Sequence, residues 1–165
     1  MASWDIGKED VVKWIRKKFP KEAKILDVGA CDGAWRKLLK DYENIDAVEA
    51  WEPHCKALKG QYRKVTNKDI GAYKYGKYDL IIFGDVIEHM SVKKAQQVLA
   101  YAEKKCTDLI VAVPYLLPQD AKDGNPWEIH IQDDLTAELM AERYPQLELI
   151  KMAGERYCYY HLKGR

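Results

Sequence analysis

Four groups of residues have the types and spacing to do chemistry. The first is the run Lys24-Ile-Leu-Asp27-Val-Gly29-Ala30-Cys31-Asp32-Gly33-Ala34-Trp35. Gly29 and Gly33 allow positive φ and let backbone approach a ligand without an intervening Cβ. The start of the helix expected after them offers free N–H groups and a partial positive charge. Asp27 and Asp32 would repel a pyrophosphate and suit a ligand carrying a cationic amino group and hydroxyls. The second is Glu49, followed by Ala50 and Trp51. Its two carboxylate oxygens match the adjacent hydroxyls of a ribose diol. The third is the cluster Asp85, Glu88 and His89, which directly follows an apolar run. Charge beyond a core strand costs several kcal/mol to bury unpaired, so three such groups mark the mouth of a site. Further on, Asn125-Pro-Trp127-Glu128-Ile-His130 brings an aromatic ring, a carboxylate and a second imidazole. His89 and His130 are the candidates to take a proton, since imidazole titrates near neutrality. Glu88, His89 and His130 have no regular metal-ligand spacing, so no metal is expected.

The elements that must position these groups read as alternating strands and helices. Val11, Val12, Ile15 and Phe19 fall on one helical face within residues 1–20, and Pro20 stops it. Trp4 and Trp14 are read as core or lid residues. Ile25, Leu26 and Val28 form a buried strand, and Trp35, Leu38, Leu39 and Tyr42 a helix face. Ala47 and Val48 make a second strand ending in Glu49, and Pro53 suits the first turn of the next helix. Tyr62 to Asn67 is a third strand and Leu80 to Phe83 a central one. Ser91 is expected to cap a helix burying Val92, Ala95, Leu99 and Ala102, before a fifth strand over Leu109–Val113. Residues 114–131 form a long connection, read as a substrate-side loop because such lengths in a small domain are functional or disordered. Asp133 is expected to cap a last helix bearing Leu135, Leu139 and Met140. Leu147–Ile150 and Tyr157–Leu162, with a turn near Gly154, form a hairpin. The alternation implies an α/β doubly wound sheet, with strand ends converging on one crevice.

No Gly-Lys-Ser/Thr follows the glycine loop, and its spacing departs from Gly-x-Gly-x-x-Gly. Asp27-x-Gly29-x-Cys31-x-Gly33 instead resembles the first motif of class I S-adenosylmethionine (SAM) dependent methyltransferases, with Cys31 where that family has its middle glycine. Asp85-Val86-Ile87-Glu88-His89 resembles the fourth motif of the branch that methylates small molecules. The resemblance covers nearly the whole chain and is most specific over residues 24–90. It implies a Rossmann-like three-layer fold: a seven-stranded, mostly parallel sheet in order 3-2-1-4-5-7-6, with strand 7 antiparallel. It also implies SAM as cofactor, S-adenosylhomocysteine as product, and transfer to an oxygen or nitrogen of a small molecule. By resemblance, Asp27, Gly29, Ala30, Cys31, Gly33, Glu49, Ala50, Trp51, Asp69, Ile70, Asp85 and Val86 line the cofactor. Asp69 would meet the adenine amino group. His89, His130 and Asp85 would be catalytic, with Glu88, Trp127 and Glu128 on the substrate side.

At 165 residues the chain suits a single domain spanning 1–165, and its formal net charge of +1 gives no bulk attraction to nucleic acid or membrane. No signal-length apolar segment opens it, so a cytoplasmic location is expected. Cys31, Cys55, Cys106 and Cys158 lack any Cys-x-x-Cys pair and read as reduced thiols. A monomer and a homodimer stay equally open. Two rival functions remain. One is a non-catalytic SAM-binding or partner domain, to which Cys31 lends weight. The other is an NAD-dependent reductase using Tyr73/Lys77 or Tyr101/Lys105, for which the glycine pattern is wrong.

Overall fold

Seven strands form one sheet in the order β3-β2-β1-β4-β5-β7-β6 in the computed structural model, which describes residues 6–165. Trp4 lies outside the described residues. The strands are β1 (Ile25–Val28), β2 (Ile45–Glu49), β3 (Lys64–Asn67), β4 (Tyr78–Gly84), β5 (Cys106–Pro114), β6 (Glu148–Ala153) and β7 (Tyr157–Lys163). The first five run parallel, and β7 inserts antiparallel between β5 and β6. This is the order expected from sequence. β1, β2 and β4 are buried along nearly their whole length, as strands covered on both faces must be.

Alternation of side chains divides the core into two layers. Ile25, Leu80, Ile82 and Ile110 face α1 (Lys8–Lys18), α2 (Ala34–Leu38) and α3 (Glu52–Leu58). Leu26, Ile81, Phe83 and Val111 face α4 (Val92–Glu103) and α5 (Ala137–Arg143). Ser91 caps α4, its hydroxyl accepting from the Lys94 N–H. Pro53 sits in the first turn of α3. Among the described residues no helix is long and apolar enough to cross a membrane.

Several boundaries differ from expectation: β3 starts at Lys64 and not at Tyr62, and β5 extends beyond Leu109–Val113 to Cys106–Pro114. α2 ends at Leu38, so Tyr42 lies beyond it. Tyr42 is nonetheless buried, and its hydroxyl donates to the Phe19 carbonyl (2.9 Å). Asp133 does not cap α5. Leu135 is drawn into the core and its carbonyl accepts the Leu116 N–H, holding that segment out of the helix. Thr136 takes the capping position instead, its hydroxyl accepting from the Leu139 N–H (3.2 Å). β6 starts at Glu148 and continues to Ala153, with a register shift between Leu149 and Lys151.

Candidate active site

The carboxyl ends of β1, β2, β4 and β5 open into a cavity of about 1100 Å³, its open mouth included. One wall is the turn between β1 and α2. Gly29, Cys31 and Gly33 all take positive φ (67°, 48° and 78°), and the Gly33 N–H closes onto the Ala30 carbonyl at 2.7 Å. A Cβ on Gly29 would stand 2.7 Å from a Val86 methyl, so only glycine fits there without displacing its neighbour. Cys31 holds a conformation that costs a non-glycine residue roughly 1–2 kcal/mol. Burial pushes its thiol up to about 11, which leaves it protonated and unreactive at neutral pH.

Glu49 ends β2 beside this turn. Its carboxylate accepts N–H groups from Cys31 (3.0 Å) and Trp51 (2.8 Å). Each oxygen keeps a further lone pair for a hydroxyl. Ala30, Cys31, Glu49, Ala50, Asp69 and Ile70 share the cavity wall, as do Asp85, Val86, Glu88, His89, Trp127, Glu128 and His130. Asp69 is paired with Lys94 (2.5 Å) and accepts the Gly71 N–H. Asp27, Gly33 and Trp51 are not on the wall. Asp27 lies beneath it, accepting the Tyr62 hydroxyl (2.5 Å). Burial pushes its carboxyl up to about 7, with Glu49 adding to the rise and the Tyr62 hydrogen bond opposing it. Trp51 packs edge-on against His54, whose ring does reach the wall.

Beside the glycine turn, at the end of the neighbouring strand, β4 breaks at Asp85, which has φ 57° and accepts the Tyr157 hydroxyl at 2.6 Å. The 3₁₀ turn Ile87–His89 follows. The Glu88 side chain is fully buried, and neither carboxylate oxygen has a hydrogen-bond partner among the described residues. Burial, then the charge of Asp85, raises its pKa well above the carboxylate range. Its backbone carbonyl accepts N–H groups from both Ile131 and Gln132. The buried Gln132 amide donates to the carbonyls of Ile87 and Met90. The loop over residues 115–131 is thereby fastened back onto the β4 end.

That fastening brings His130 to His89, with ring centroids 4.6 Å apart. His89 Nδ1 lies 3.2 Å from the Ile129 carbonyl, and His130 Nδ1 2.6 Å from the Leu117 carbonyl. A carbonyl oxygen only accepts, so each Nδ1 carries a hydrogen and each neutral ring keeps its lone pair on Nε2. Burial, with the neighbouring His130 second, pushes His89 down to about 4, and burial lowers His130 as well. Both are neutral at pH 7.

Tyr157, Gln132, Lys94 and His54 join the site without having been singled out from sequence. Tyr157 belongs to a strand of alternating core tyrosines, and Gln132 to a polar run that reads as loop; neither carries a motif. The Tyr/Lys pairs of the reductase reading do not line the cavity. The Tyr101 hydroxyl instead donates to the Tyr75 carbonyl.

No protein-family model and no curated protein matches the chain. Solved structures do. A SAM-dependent methyltransferase from Clostridium acetobutylicum ATCC 824 is similar with a TM-score of 0.71 at 12% identity, over 95% of this chain and 89% of that one. Magnesium protoporphyrin IX methyltransferase from Synechocystis PCC 6803, with bound SAM, gives 0.67 at 13% identity, over 95% and 77%. The N-methyltransferase NodS from Bradyrhizobium japonicum WM9 gives 0.66 at 12% identity, over 95% and 94%. At such identities the likeness is one of fold: this chain is built on the α/β architecture that these methyltransferases share.

Proposed function

We propose that the chain transfers a methyl group from SAM to an oxygen or nitrogen of a small-molecule acceptor. The observation that carries this reading is that the glycine turn, the Glu49 carboxylate and the Asp85–His89–His130 group all face one cavity at the strand ends. Glu49 would hold the ribose hydroxyls with the lone pairs left by its two backbone donors. Asp69 would receive the adenine amino group. The Gly29 carbonyl and Asp85 would hold the amino group of the methionine part, and Tyr157 would keep Asp85 oriented for it.

When bound, the cofactor supplies an electrophilic methyl carbon on a sulfonium. The protein's part is positioning and exclusion of water, which can contribute roughly 7–11 kcal/mol to the lowering of a barrier. The loop over residues 115–131 would cover the acceptor. Because His89 and His130 are neutral, an Nε2 lone pair is available to take a proton from a hydroxyl as the new bond forms, or from an ammonium group before its nitrogen attacks.

The test is calorimetric titration of the chain with SAM, S-adenosylhomocysteine and NAD(H). Binding of the first two and not the third is expected, with Glu49→Ala weakening both by about tenfold, the loss of one or two charge-assisted hydrogen bonds. No affinity for either adenosyl compound would sink the reading. Cys31 in its left-handed turn favours a second reading, a domain that binds SAM without turning it over. Binding with no turnover across an acceptor screen would select it.

A further inference from the structure

Glu88, His89 and His130 are separated in sequence by up to 42 positions, yet one ligand atom from each lies within 4.8 Å of the others. His89 Nε2 stands 4.0 Å from a Glu88 oxygen. A metal with bonds of about 2.0–2.1 Å sets its ligands roughly 3 Å apart, so a shift of about an ångström per side chain closes the set. Three further features fit a cation there. The Glu88 carboxylate lines the cavity, fully buried and without a hydrogen-bond partner among the described residues. A buried carboxylate left so is costly unless something completes it. Both imidazoles have Nδ1 anchored on a backbone carbonyl, the arrangement that orients a metal-binding histidine and leaves Nε2 to coordinate. Asp85 and Glu128 add negative potential around Glu88.

We propose that Glu88, His89 and His130 bind one divalent transition-metal ion of the zinc class, with its remaining coordination positions open to the cavity. Two nitrogens and one carboxylate suit zinc, cobalt, manganese or iron(II). Calcium and magnesium want oxygen donors throughout, and copper(I) wants sulfur. The open position would take water or an oxygen of the acceptor, whose proton a bound cation makes easier to lose. That use rests on the methyl-transfer reading; the metal site itself does not. With an ion in place the two histidines serve as ligands, and the proton released from the ion-bound acceptor passes to water at the open mouth of the cavity.

The experiment uses the full chain after chelator treatment. Zn²⁺ is titrated calorimetrically, and Co²⁺ is followed by its visible absorption. One ion per chain is expected, with cobalt bands that report nitrogen and oxygen ligation. Glu88→Gln and His130→Ala should each weaken binding at least tenfold while circular dichroism matches the parent. His130→Ala lies in the loop and carries the test if Glu88→Gln fails to fold. Absence of stoichiometric binding overturns the proposal, as does binding that survives both substitutions. Affinity for S-adenosylhomocysteine is measured on the same metal-free preparation, so loss of either reading leaves the other standing.

Discussion

Cys31 and Asp85 both line the cavity, and both hold the left-handed backbone that glycine takes at least cost. Only Leu116 and Asp123 share it among the other described non-glycine residues. Strain gathered at a cavity wall is held there by the surrounding fold. Asp27, one layer down, gives a test of buried charge. Its carboxyl titrates near 7 in the folded chain against an ordinary 3.8, chiefly through burial, with Glu49 and Asp32 raising it and Tyr62 and Lys8 lowering it. Between those values the folded state keeps a proton that the unfolded state has released. Stability therefore falls as pH rises from about 4 to about 7, then levels. Asp27→Asn should flatten that fall, matching the parent below pH ~4 and exceeding it above pH ~7 by on the order of 2–4 kcal/mol. Urea unfolding across that range measures it, and parallel curves for the two proteins would refute it. The reach of Asp27 was legible in part. Its type and place at a strand end marked it, but its burial beneath the wall depends on Tyr62, which no local pattern ties to it.

At the level of elements, strand ends were readable and the loop was not. Leu80–Phe83 is a continuous apolar run, so the ionisable cluster after it had to lie at an edge of the core. The loop over residues 115–131 takes its shape from backbone groups: Leu117, Ile129 and Glu88 carbonyls receive His130, His89, Ile131 and Gln132. Every residue offers a carbonyl, so composition says nothing about which one is used. For the same reason the fastening Gln132 went unmarked, and the cap fell to Thr136 in place of Asp133. Gln132→Ala would leave the Ile87 and Met90 carbonyls without its donors, at a cost of about 1–3 kcal/mol. Hydrogen exchange should quicken over residues 116–132 with β1 and β4 unchanged. Uniform exchange in variant and parent would mean that the amide does not fasten the loop.

Over the whole molecule, the N-terminal helix and the late hairpin are joined at one buried acid. Asp108 on β5 accepts from Lys18 of α1 (2.5 Å) and lies 2.7 Å from His161 Nε2 of β7. It is fully buried while Lys18 is partly exposed, so Asp108→Ala should cost roughly 2–3 kcal/mol, below the full value of a wholly buried pair. A lower urea midpoint at unchanged slope would show it; an unmoved midpoint would show that the join is incidental. The sheet separates two layers of apolar packing that meet the same strands from opposite sides. Losses from a substitution beneath α1 and one beneath α4 should therefore simply sum when the sites are well apart. Either flank could be rebuilt wholesale by an engineer, with the other left as an untouched reference.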